Sequence, residues 1–234
     1  MYPAAFPHDP ITQIFDNVYL VHGSIKIGPG MRMNRNMIFI KEGSDLTLIN
    51  PIRMNEEELK KLDALGTVRH VIRLGDFHGL DDRFYVDRYK AEFWCQPGQG
   101  TYKEPLPTNE FTAAINPPIS QAEFFIFESA KFPEAALLLN EHKLLITTDS
   151  IQFWEDWSYT SAFTKFVLWL MGFRLTLLVG GPWLKRVTPK GTSLKPEFER
   201  LLKLDFNHLV AAHGGLLRNE AKPMLKTALT KAFG

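Results

Sequence analysis

A mixed α/β fold is what this sequence predicts, from three features. Short apolar or β-branched runs end abruptly in residues with ligand chemistry, one amphipathic helix sits between two such runs, and two pairs of runs are joined by turn signals. The stretch that organises the rest is residues 68–82, Val-Arg-His-Val-Ile-Arg-Leu-Gly-Asp-Phe-His-Gly-Leu-Asp-Asp. Val68 to Leu74 reads as a strand, Gly75 ends it, and Asp76, His78, Asp81 and Asp82 follow at once. Residues two apart in extended chain point the same way, so Asp76 and His78 can converge on one ion. Two later runs end similarly: Lys143 to Asp149 finishes on a carboxylate, and His208 to Gly215 carries His213. A polar turn before an Asp-capped helix is the plain alternative for the first cluster alone. Three strand ends of this kind make a constellation.

The elements follow in order. Val18 to Val21 and Asn36 to Ile40 are strands joined through a loop containing Gly28-Pro29-Gly30, and Glu42-Gly43-Ser44-Asp45 turns Met37–Ile40 into Leu46–Ile49 as a hairpin. Asn50-Pro51 breaks the run. Asn55 is an N-cap with Glu58 completing a capping box, Gly66 is the stop, and Leu59, Leu62 and Leu65 share one face. Strand, helix and strand in this sequence predict a right-handed crossover to a parallel neighbour. Asp82 to Tyr89 reads as a short helix and Ala91 to Cys95 as a strand. The proline- and glycine-rich stretch 96–118 is a long loop, a candidate rim or lid with Tyr102 and Phe111 able to line a site, or a passive surface excursion. Glu123 to Glu128 is a strand, and Ala135–Leu139 with Lys143–Thr147 is a second hairpin. The aromatics Phe153, Trp154, Trp157 and Tyr159 wall a pocket or cover the core. Phe166 to Phe173 is too short to span a bilayer, so it is expected as a buried helix, with an interfacial contact as the lesser alternative. Pro196 opens another core-facing helix, and the last helix runs from near Asn219 to Phe233.

Composition narrows the function classes. The chain has 234 residues, 45% of them hydrophobic, enough for a full core in one domain. Lysine and arginine number 27 against 26 acidic residues, which leaves no basic footprint for nucleic acid. The one cysteine, Cys95, allows no internal disulfide, and the first ten residues lack the basic start and apolar core of a signal peptide, so a cytoplasmic location is expected.

The ordered pattern resembles the metallo-β-lactamase superfamily over essentially the whole chain. Asn36 to Pro51 is similar to that family's early hairpin, reading Leu-Ile-Asn-Pro where an aspartate is usual, and Gly75 to Asp82 lies where the family carries His-x-His-x-Asp-His. Leu48 to Arg53, the helix to Leu65-Gly66, and Val68-Arg69-His70 resemble an uncharacterised branch of it. The resemblance implies a four-layer αββα sandwich, two mixed sheets face to face with helices outside. Residue by residue, His78 matches the second histidine, Asp149 the bridging aspartate and His213 the final histidine before Gly214. Asp76 stands at the first histidine, Leu80 at the aspartate and Asp81 at the last histidine of the motif, and Ser129 to Pro133 lacks the later histidine. The motif is degenerate.

What remains implies at most one divalent metal, zinc first with iron or manganese also compatible, held by His78, Asp149, His213 and one of Asp76 or Asp81. The resemblance then implies a metal-dependent hydrolase acting on a small-molecule ester, amide or phosphoester. The alternative is an inactive binding or interaction protein of the same fold without metal, with Lys131 in the pocket in place of the ion's charge.

Overall fold

The computed structural model describes residues 2–234, and its elements stack in four layers. The first sheet contains β1 (Thr12–Phe15), β2 (Val18–Gly28), β3 (Met31–Glu42), β4 (Asp45–Ile49), β5 (Thr67–Arg73), β6 (Glu92–Cys95) and β7 (Asn109–Glu110), in that spatial order. The second has the order β14 (Leu216–Leu217), β13 (His208–Ala211), β10 (Leu144–Thr147), β9 (Ala135–Leu139), β8 (Ala122–Ile126). A small ribbon pairs β11 (Ile151–Phe153) with β12 (Leu177–Val179).

Three apolar clusters define the layers. Between the sheets, Ile38, Ile49, Ile72 and Leu74 meet Phe124, Leu137, Leu144 and Ile146. Outside the first sheet, Met37, Phe39, Leu48 and Val71 pack on α1 (Glu56–Leu65) and α2 (Asp82–Tyr89). Outside the second, Leu138, Leu145 and Leu209 pack on α4 (Gly181–Val187), α5 (Lys195–Leu201) and α6 (Ala221–Phe233). Both faces of each sheet are thus covered, which is why the central strands read as continuous apolar runs rather than alternating ones. This is the αββα arrangement expected from the resemblance.

The crossover that positions the site is built as its sequence dictates. β4 and β5 are parallel neighbours on either side of α1. Asn55 caps α1, its side chain accepting from Glu58 N at 2.9 Å, and Leu59 and Leu62 are fully buried. Burial of that kind contributes about 1.5–3 kcal/mol per leucine. The expected capping box is only half present: the Glu58 carboxylate accepts from Ile11 N at 2.8 Å instead of returning to the cap, because the N-terminal segment passes close by.

Two further expectations are corrected. Phe111 is not a lid residue; it is fully buried between the sheets and stacks on Phe124 with centroids 4.0 Å apart. Nor is the helix at 166–173 buried. It forms α3 (Ala162–Leu170), which buries only Thr164 and Leu168 and leaves Phe163, Phe166, Trp169 and Leu170 each more than half exposed. No helix among the described residues is long and apolar enough to cross a membrane.

Candidate metal centre

Three strand ends deliver the centre. β5 leads into the turn that carries His78, β10 ends just before Asp149, and β13 ends just before His213. β10 and β13 are parallel neighbours, so Asp149 and His213 leave the same edge of the second sheet, facing the turn after β5 from the first. One ligand-type atom from each of His78, Asp149 and His213 lies within 4.8 Å of the others. His78 Nε2 is 3.2 Å from Asp149 Oδ2, His213 Nε2 is 3.5 Å from Asp149 Oδ1, and the two imidazole centroids are 5.1 Å apart.

The surroundings fix the proton inventory. His213 Nδ1 donates to the Asn34 carbonyl at 2.7 Å, which leaves Nε2 with its lone pair toward Asp149. Burial presses the His213 pKa down to about 4, against the raising influence of Asp149, so the ring is neutral at ordinary pH. Burial raises the pKa of Asp149, but His78 and His213 outweigh it and hold the carboxyl down at about 2. His78 Nδ1 is buried with no hydrogen-bond partner among the described residues. A carboxylate and two imidazole nitrogens, His78 Nε2 and His213 Nε2, make a donor set chemically suited to one divalent cation.

The turn at His213 is locked from β3. Asn34 Oδ1 accepts from Gly214 N, and Asn36 Nδ2 donates to the carbonyls of Ala211 (2.8 Å) and Gly214 (2.9 Å). Gly214 has φ +85°, and a Cβ there would sit 1.9 Å from the Phe153 carbonyl, so no other residue fits beside the histidine. Asp149 is oriented by Gln152 Nε2 at 3.2 Å, itself held through Trp154 Nε1 to Gln152 Oε1 at 2.9 Å. Beneath it, the fully enclosed Glu134 carboxyl accepts from Thr148 Oγ1 and from Ser150 N. Burial and the neighbouring Asp149 charge push the Glu134 pKa up to about 8.

The fourth ligand expected from Asp76 or Asp81 is not supplied by either. Asp76 turns toward loop 96–118, where Oδ1 accepts from Gly100 N (2.7 Å) and Oδ2 from Thr101 Oγ1 (2.5 Å). Asp81 pairs with the buried guanidinium of Arg35 at 3.3 Å, and Asp82 pairs with buried Arg73 at 2.6 Å. Alternation along the chain therefore misled at Asp76: residues 74–81 leave the strand as a turn, and side chains two apart diverge. Lys131 is exposed and does not line the cavity. A buried cation in contact with the motif is Arg35, whose Nη2 donates to the carbonyls of His78 (2.9 Å) and Pro51 (3.2 Å), tying the histidine turn to the first sheet. Asn34, Arg35 and Asn36 are the positioning residues that sequence reading missed. Their signal was three consecutive polar residues entering an apolar strand.

A cavity of about 320 Å³ opens beside the centre, with Asp149 and His213 in its lining. Of the aromatics expected to wall it, Trp154 is buried beneath in a cluster with Leu168 and Phe173, and Phe153, Trp157 and Tyr159 lie outside the lining.

The architecture has solved counterparts. A metallo-β-lactamase from Pontibacter korlensis superposes with a TM-score of 0.66 at 12% identity, covering 95% of this chain and 99% of its own. DIM-1 metallo-β-lactamase exposed to ceftazidime gives 0.66 at 7% identity over 98% and 100%. FIM-1 from Pseudomonas aeruginosa, in its mono-zinc form, gives 0.62 at 9% identity over 98% of each chain. No family model matches the sequence, and no curated protein matches it. The chain has the metallo-β-lactamase fold.

Proposed function

We propose that this protein is a metal-dependent hydrolase with one divalent cation, zinc in the first instance, held by His78, Asp149 and His213. The observation that carries the reading is the convergence of two imidazoles and a carboxylate, all within 4.8 Å, at one edge of a sheet sandwich beside an open cavity. The occurrence of a mono-zinc form in FIM-1 supports a single-ion site on this fold. Three protein donors leave a further position for water in a four-coordinate catalytic site. A bound cation supplies acidified water at neutral pH for attack on an ester, amide or phosphoester.

The chain's own residues prepare that chemistry. Asn34 fixes the His213 tautomer so that Nε2 faces inward, Gln152 holds the Asp149 carboxylate, and Arg35 restrains the His78 turn through its main chain. Leu80 and the Ser129–Pro133 segment offer no carboxylate or histidine for a second cation.

The test is elemental analysis of protein purified without chelator, coupled to hydrolysis of a chromogenic ester. About one equivalent of a transition metal, lost with the activity in His213→Ala, supports the reading. A metal-free protein that stays inactive after zinc loading contradicts it.

A further inference from the structure

The cavity beside the centre has a composition that indicates what enters it. Three separate elements build its walls: Ile27, Met31 and Met33 from the β2–β3 hairpin, Val167 and Met171 at α3, and Trp183 of α4. The first two are clamped together, since Ser161 Oγ donates to the Gly30 carbonyl at 3.0 Å and Ser161 N donates to the Arg32 carbonyl at 2.9 Å. Methionines are unbranched and soft, and they fit a flexible chain better than they select a rigid ring. The polar side chains in the wall are largely committed, Gln152 to Asp149 and Trp154, and Thr164 to Ser161. Arg186 differs: its guanidinium lies 4.3 Å from the Phe77 ring centroid and has no carboxylate partner among the described residues. Ile27 and Met171 of the lining are themselves exposed, as are Phe166, Trp169 and Leu170 on α3.

We propose that this cavity takes the acyl chain of an amphiphile, with Arg186 meeting the carboxylate of the fatty acid that hydrolysis releases. The substrate class is then a fatty-acyl ester or amide. Water adds to its carbonyl, the bond to the alcohol or amine breaks, the proton passes to that leaving group, and a fatty acid is released. This deepens the hydrolase reading and rests on it for the reaction, but the binding of the chain does not depend on a metal.

The test uses free fatty acids, the product class, on metal-free protein, read by displacement of an environment-sensitive fluorophore. Across hexanoate, octanoate, decanoate and dodecanoate the Kd falls about three- to fourfold per added methylene until the cavity is full. Arg186→Gln weakens dodecanoate at least fivefold and leaves dodecanol within twofold. Val167→Asp weakens both, with an unchanged circular dichroism spectrum. Should that variant misfold, the chain-length series on the wild type decides alone. A Kd independent of chain length overturns the proposal. So does a concentration-dependent dimer that buries α3 and leaves fatty acids unbound. A His78→Ala protein that loses metal yet binds dodecanoate normally separates failure of the hydrolase reading from failure of this one.

Discussion

Two sets of carboxylates at strand ends of this molecule have opposite partners. Asp81 and Asp82 follow the first sheet's strand end and are neutralised by permanent cations, Arg35 and Arg73. Asp149, at the second sheet's strand end, has no guanidinium partner: it faces the imidazoles of His78 and His213 and accepts from the Gln152 amide. A guanidinium stays charged at any ordinary pH and occupies the carboxylate for good. An imidazole holds the same carboxylate in place while both remain able to accept a cation. Burial and position at a strand end do not distinguish a ligand from a structural acid; the chemistry of the partner does.

Removing a permanent cation produces the largest effect. Arg73→Ala leaves Asp82 fully buried and uncompensated, and costs about 3–5 kcal/mol in urea unfolding. Asp149→Asn breaks no such pair: its Tm stays within a few degrees of the wild type while zinc affinity falls by about 100-fold or more, since one of three donors is lost. Equal destabilisation by the two variants would erase the distinction.

Glu134 is a third case, a buried acid with no cation beside it among the described residues. With a folded pKa of about 8 against about 4.5 unfolded, the folded protein keeps a proton that the unfolded chain releases between those values. Its contribution to stability is therefore complete below pH about 4.5 and is lost as pH rises toward 8. In metal-free protein, Glu134→Gln keeps the acceptor for Thr148 and Ser150 and removes this penalty. It raises stability at pH 8 by about 1–3 kcal/mol and leaves it nearly unchanged at pH 4.5, as chemical denaturation at the two values will show. A smaller effect belongs to Asp76→Asn. Loss of charge-assisted bonds to Gly100 and Thr101 costs about 1–2 kcal/mol, and zinc affinity stays within threefold of the wild type.

The same contrast marks what was legible in the sequence. The strand–helix–strand unit at 46–74, both hairpins and the three strand ends follow from periodicity and turn chemistry, which are local properties. The pairing of His78 with Asp149 and His213 was legible because each closes an apolar run. Partner choice was not, since Arg35 reaches Asp81 across 46 positions and Thr101 reaches Asp76 across 25. Nor was the exposure of α3 readable: an apolar helix at a cavity mouth has the composition of a buried one.

Calorimetric titration of zinc into metal-free protein decides whether one cation binds on His78, Asp149 and His213. The structure predicts a single tight equivalent in the wild type, binding at least 100-fold weaker in His78→Ala, and wild-type binding in Asp81→Asn wherever that variant remains folded. Two tight equivalents, or unchanged binding in His78→Ala, contradict it.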